Sequence, residues 1–368
     1  MSLWRVQAAR ALAWALLLGG WVGLASLAQA QAATPLIGFA WLAVWLLALG
    51  AGAELVGRLA LPPGFMRALL IAAAALAAWA VHAGVLWVAI IDWALVVALA
   101  SATVRACRQT LRLVHTRPPI LAAATGALLA WACVGDIGDL HQLGPRLSGL
   151  VGVAGLLLAA LLPQRQGMPG TCRAGLFDCS LPSWSRAAWR EPGRWPLLLS
   201  SLVMLPMMCS LPLMVGLCRS DATSAQTVLA LHFAAMFGPA LWVARSPRAQ
   251  AAAPALCAAL LALGSLVLLA APGPFAWWGL TLAHGGAWSV AWAAQLTGRR
   301  AEKTAAATAL RGAFGNALFA LALGLGVASQ GLQALSAWHL GLGLLAAMAA
   351  TALWSNRGHE PHHPSPRH

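Results

Sequence analysis

Residues Val85–Val104 read VLWVAIIDWALVVALASATV, and the next basic residues are Arg105, Arg108, Arg112 and Arg117. An α-helix needs ~20 predominantly apolar residues to cross the hydrocarbon of a bilayer. This stretch has that length and a single carboxylate, Asp92. Arginine clustered directly after such a run marks the end that stays on the cytoplasmic side. The segment therefore predicts a membrane-spanning helix with Arg105 on the inside.

The rest of the chain repeats the pattern. It has 368 residues, 61% hydrophobic and 9% charged, with a mean hydropathy of +0.77. Soluble domains carry about 25% charged residues, so an ordinary soluble fold is excluded. Disorder is excluded too, because it needs low hydrophobicity. Further spans are predicted at residues 11–27, 36–55, 66–82, 120–135 and 147–162. After a polar, Pro-rich stretch come 196–218, 227–244, 251–270, 275–294, 305–327 and 335–353. The expectation is an all-α integral membrane protein of twelve transmembrane helices in two six-helix halves.

Charge tests that count. The chain has 23 Lys and Arg against nine acids, a net charge of +14. With both termini cytoplasmic, every Lys and Arg except Arg146 and Arg219 falls on the inner side. A wrong helix count would scramble this alternation. The basic excess thus reads as topology in a bilayer, and no nucleic-acid partner is expected. The organisation is an N-terminal half (1–163), a basic cytoplasmic loop (164–195), a C-terminal half (196–354) and a His-rich cytoplasmic tail (355–368). Arg5, Arg10 and the following apolar run up to Ala28-Gln29-Ala30 also resemble a signal peptide. The apolar region is longer than such peptides use, so an uncleaved first helix is expected. Tyr is absent and there are 19 Trp, which suit interfacial belts at the ends of spans.

The span at 196–218 contains Met204, Met207, Met208 and Met214, four of the chain's nine methionines. With Cys218 they fall within about a third of the helix circumference. Thioethers are soft ligands that suit Cu(I). The same residues beside Pro206 and Pro212 also read as plastic packing at a kink. The next span carries His232 and Met236, one helical turn apart on one face. Asp92 is mid-span, where a carboxylate costs ~3 kcal/mol unless it faces a cavity or partner. It reads as a proton-coupling or cation-attracting group, or as a buried polar contact. His284 lies in Leu282-Ala-His284-Gly-Gly, and His82 ends its span at the outer interface.

Three further groups have metal-ligand chemistry. Cys133, Asp136, Asp139 and His141 follow one span on the outer side. Cys172 and Cys179 sit in the central loop, and His359, His362, His363 and His368 in the tail. A polar turn, a reduced thiol pair and a solvated end are their plainer readings. No nucleotide-binding loop, GxSxG elbow, HExxH or paired CxxC occurs. The chain is not expected to be an enzyme.

Two six-helix halves joined by a basic loop resemble the major facilitator superfamily. Met204-x-x-x-Met208 followed by His232-x-x-x-Met236 resembles that superfamily's CcoA-like copper importers, which carry MxxxM and HxxxM on helices 7 and 8. The superfamily's basic loop between helices 2 and 3 is degenerate here, reading Gly52-Ala-Glu54…Arg58…Gly64-Phe-Met-Arg67. The resemblance implies a secondary transporter in the cytoplasmic membrane with copper as its transported substrate. It would supply cbb3-type cytochrome oxidase assembly, with a cytoplasmic or periplasmic copper chaperone as partner. Met204, Met208, His232 and Met236 would be the ligands. Met207, Met214, Asp92 and His284 would be accessory. The alternatives are a transporter of a small organic molecule and a non-transporting membrane assembly factor.

Overall fold

The computed structural model describes residues 3–31, 34–58, 61–110, 120–134, 140–162, 222–270, 274–297 and 307–331, with isolated positions between 334 and 348. The expected spans at 196–218 and across most of 335–353, the central loop and the His-rich tail lie outside the described residues.

The described chain is helical. A first group comprises α1 (Leu3–Gly19), a π-helical turn (Gly20–Leu24), α2 (Ala25–Gln31), α3 (Pro35–Arg58), α4 (Pro63–His82), α5 (Leu86–Thr110), α6 (Ile120–Val134) and α7 (Leu140–Leu161). The second group comprises α8 (Ala222–Val243), α9 (Pro247–Ala270), α10 (Pro274–Thr297) and α11 (Ala307–Gln330). Among the described residues, six helices are long and apolar enough to cross a membrane. Leu3–Ala28 is one of them, running through α1, the π turn and into α2.

Several helices begin before the apolar windows read from sequence. α4 starts at Pro63 instead of Met66, α7 at Leu140 instead of Leu147, and α8 at Ala222 instead of Thr227. In α7 and α8 the helix continues into polar residues, and in α4 into Pro63 and Gly64, where hydropathy no longer marks it. Between α4 and α5 the turn is tight. Gly84 has φ +71, which an L side chain adopts only with strain. Val85 N–H donates to Ala80 O at 2.9 Å, and Gly84 N–H to Val81 O at 3.2 Å, as in a glycine-terminated helix end.

Long side chains fix the stacking of helix ends. Arg67, at the start of α4, donates from Nε to Ala159 O (2.9 Å) and from Nη2 to Leu162 O (3.1 Å). It thus satisfies carbonyls left over at the end of α7. Towards the other end of the same helix pair, Ser148 Oγ donates to Ala78 O at 2.9 Å. The start of α4 and the end of α7 therefore share one end of the bundle, as the alternating charge pattern requires.

The two groups pack along α3 with α11 and α6 with α8. Small residues permit the close approach. A Cβ on Gly324 of α11 would stand 2.6 Å from Phe39 Cβ of α3. Trp131 Nε1 of α6 donates to Gln226 O of α8 at 3.4 Å.

Candidate functional site

α8 places His232 and Met236 in the interior, at 0% and 3% exposure. His232 Nδ1 lies 3.2 Å from Thr281 O of α10. A carbonyl only accepts, so this contact assigns the ring proton to Nδ1. Nε2 is then a lone-pair acceptor. It is buried with no hydrogen-bond partner among the described residues. Gly285 makes the approach of α10 possible, since a Cβ there would stand 3.0 Å from Ala235 Cβ and 3.3 Å from His232 Nδ1. Pro239 lies inside α8. The N–H of Ala240 donates across to Ser289 Oγ of α10 at 2.8 Å, so α8 and α10 are clamped on both sides of Phe237.

His284 is also buried, at 1% exposure. Its ring packs toward α9, where a Cβ on Gly264 would stand 3.1 Å from His284 Cδ2 and Nε2. The two imidazoles are thus seated against different helices, His232 against α10 and His284 against α9. Met204, Met207, Met208 and Met214 lie outside the described residues, so only the α8 portion of the sulfur-and-imidazole set is seen. Among the described residues, no three His, Cys, Asp or Glu side chains gather as a metal site.

Asp92 is half-buried. It borders the buried face of α5, about 40° around the helix from Val96 and 60° from Ala89, the buried face itself carrying Ala89, Ile90, Trp93, Val96 and Ala100. Trp93 anchors that face by donating from Nε1 to Leu16 O of α1 at 2.8 Å. Among the described residues, no contact brings the carboxylate and the two imidazoles into one site. His82 ends α4 and is exposed, as expected for an interfacial residue.

Aromatic side chains bridge the two helix groups. Trp14 of α1 meets Phe237 of α8 and Trp288 and Trp292 of α10, with ring centroids 5.8, 6.4 and 5.4 Å away, all edge-on. Trp288 and Trp292 stack at 5.3 Å and 11°. All four rings are buried. Arg10 is buried one turn before Trp14, at 3% exposure, so one of the N-terminal basic residues lies inside the bundle. The sequence places Arg10 at an inner flank and suits Trp near the ends of spans to the interface. Trp4, Trp79, Trp87 and Trp242 fit that description and are exposed, but Trp14, Trp45, Trp93, Trp288 and Trp292 are core residues. Their irregular spacing along the chain gave no sign of this.

No protein-family model matches the chain, and no curated protein matches it. Solved structures do. The nucleoside transporter NupG, in a mutant form, aligns with a TM-score of 0.61 over 95% of this chain and 99% of its own, at 14% identity. The xylose transporter XylE from E. coli, partially occluded and inward open, aligns with a TM-score of 0.59 over 96% and 99%, at 10% identity. The chain has the all-α membrane fold of the major facilitators. The matches extend over nearly the whole chain, so the likeness covers both helix groups. At these identities it establishes architecture, not substrate.

Proposed function

We propose that this chain is a secondary transporter that carries a small organic molecule across the cytoplasmic membrane. Its halves would be 1–163 and 196–354, joined by a cytoplasmic loop at 164–195, with both termini inside. The charge distribution supports that orientation. The observation that carries the reading is the aromatic junction of α1, α8 and α10. Trp14 crosses between groups that a rocking carrier must separate and rejoin, and its contacts are edge-on ring contacts, which break and re-form without stranding a charge. The full-length likeness to a nucleoside and a xylose transporter supports an uncharged organic cargo.

Copper import is the second reading. One observation favours it: His232 Nε2 is a buried acceptor with no hydrogen-bond partner among the described residues, one turn from the buried Met236. An imidazole nitrogen and a thioether are apt ligands for Cu(I). Met204 and Met208 would complete the set. Accumulation of labelled uridine, xylose and copper in cells with and without the chain separates the two. A gain confined to an organic label supports the first reading, and a gain confined to copper replaces it with the second.

A further inference from the structure

The first span is not a uniform α-helix. Between α1 and α2 it makes a π turn at Gly20–Leu24, flanked by helical backbone at Gly19 (φ -61, ψ -44) and Ala25 (φ -63, ψ -37). A π turn closes its hydrogen bonds from i to i+5, so it carries one residue more than an α-helix would, and such turns recur at functional sites. Ser26 Oγ donates to Val22 O at 2.7 Å, a side-chain bond of the kind that accompanies helix bends. Trp21, inside the turn, and Trp45 of α3 keep their Nε1–H groups buried with no hydrogen-bond partner among the described residues. This conformation of the turn therefore carries unpaired donors of a kind that native interiors rarely retain. The part of the span before the turn is anchored: Trp93 donates to Leu16 O, and Trp14 seats against α8 and α10. Against the turn lies α7. A Cβ on Gly23 would stand 2.5 Å from Leu147 Cδ2, and one on Gly19 2.5 Å from Leu150 Cδ2. Leu147 closely follows Pro145, which lies inside α7 and removes a hydrogen bond from its ladder. Two breaks in helix regularity thus face each other across the Gly23–Leu147 contact.

We propose that the π turn and the Pro145 break form a coupled hinge, by which the outer end of the first span turns relative to its anchored inner part. Relaxing the π turn to α-helix shifts everything beyond it by one residue, about 100° of rotation. Leu147 permits this only by withdrawing, because any residue but glycine at its contact would bring a Cβ within 2.5 Å of its Cδ2. A bend at Pro145 supplies that withdrawal, since the ladder of α7 is already open there. The hinge lies about 9 Å beyond Trp14, at 1.5 Å per residue, so the aromatic junction holds while the outer end moves. The inference rests on the transporter reading above and names the moving part that opens its outer side.

The test is hydrogen exchange of the full chain in lipid nanodiscs, without cargo. Amides of residues 20–26 are expected to exchange roughly tenfold faster than those of 8–16, the worth of about one hydrogen bond. Equal protection of the two stretches overturns the hinge. Deleting Val22 removes the surplus residue and leaves both flanks oriented as they are. It should bring 20–26 to the rate of 8–16, and rates like the parent's overturn the assignment to the π turn. Pro145→Ala restores the missing donor of α7 and changes nothing in the first span. It should still slow exchange at 20–26 roughly tenfold, and no slowing there overturns the coupling. An elution profile and melting temperature like the parent's show that the variants fold, and Pro145→Ala carries the test if the deletion does not. None of these rates depends on flux: a chain that moves neither uridine nor xylose defeats the transporter reading and leaves the hinge standing.

Discussion

Trp14 of α1 and Trp292 of α10 meet edge to face, their centroids 5.4 Å apart and their planes inclined by 71°. Each belongs to a different helix group, so this contact joins the two groups, which the proposed carrier would move against one another. Aromatic pairs contribute ~0.5–1.5 kcal/mol beyond area burial, and Trp14 makes three such contacts. Trp14→Ala should therefore shift the population toward separated groups by a few kcal/mol at most. Hydrogen exchange around residues 288–292 is the measurement. It should quicken in Trp14→Ala and stay close to the parent in Trp14→Phe.

Glycine packing gives a sharper contrast. A Cβ on Gly126 of α6 would press into α1, 2.6 Å from Trp14 Cβ and 2.9 Å from Ala15 N, where backbone cannot yield. Gly149 of α7 has nothing within 4 Å of the same atom. Gly126→Ala should cost ~1–3 kcal/mol, as overpacking does. Gly149→Ala should be neutral or gain up to ~1 kcal/mol from helix propensity. Thermal unfolding in detergent distinguishes them.

The apolar runs were legible because lipid demands them, and the alternation of arginines oriented them. The turn-spaced pair His232 and Met236 was legible because helical periodicity places such residues on one face. What could not be read is which helices are neighbours. Arg67 was visible as an inner charge, but its bonds to Ala159 O and Leu162 O depend on α7 lying beside α4. Trp45 and Trp93 belong to different helices, and no one-dimensional pattern announces that both crowd Gly20 of a third segment. Asp92 was read from its depth alone. Its half-buried position follows from which side of α5 meets α1, which composition does not encode.

His232 can be divided into its two nitrogens. His232→Asn keeps a donor near the Nδ1 position and loses Nε2. His232→Gln places its amide near Nε2 and forfeits the bond to Thr281 O. In an organic-cargo transporter, Asn should preserve both fold and uptake, while Gln lowers the melting temperature. A copper carrier would show the opposite sensitivity in uptake, with Asn inactive.

The sulfur residues follow the same logic. Met→Leu conserves volume and should cost under ~1.5 kcal/mol wherever the role is packing. Met204→Leu, Met208→Leu and Met236→Leu are expected to transport an organic cargo like the parent. Met348→Leu is the control, since Met348 is 67% exposed. Collapse of copper uptake in the first three, at normal protein levels, would favour metal ligation.

Asp92 is the mid-span carboxylate on the half-buried side of α5. If it carries the coupling proton, Asp92→Asn should abolish accumulation against a gradient while leaving exchange of cargo across the membrane intact. Uptake in vesicles with an imposed proton gradient, compared with exchange in its absence, reads both quantities from one preparation. Equal loss of both would assign Asp92 to structure.

Counterflow in proteoliposomes of the purified chain tests the central claim most directly. Vesicles preloaded with unlabelled cargo take up external label transiently above equilibrium only if one carrier alternately exposes one site to each side. The account predicts such an overshoot for a small uncharged organic molecule, uridine or xylose being the first to try, and none for copper. Copper flux without counterflow of any organic molecule would contradict it.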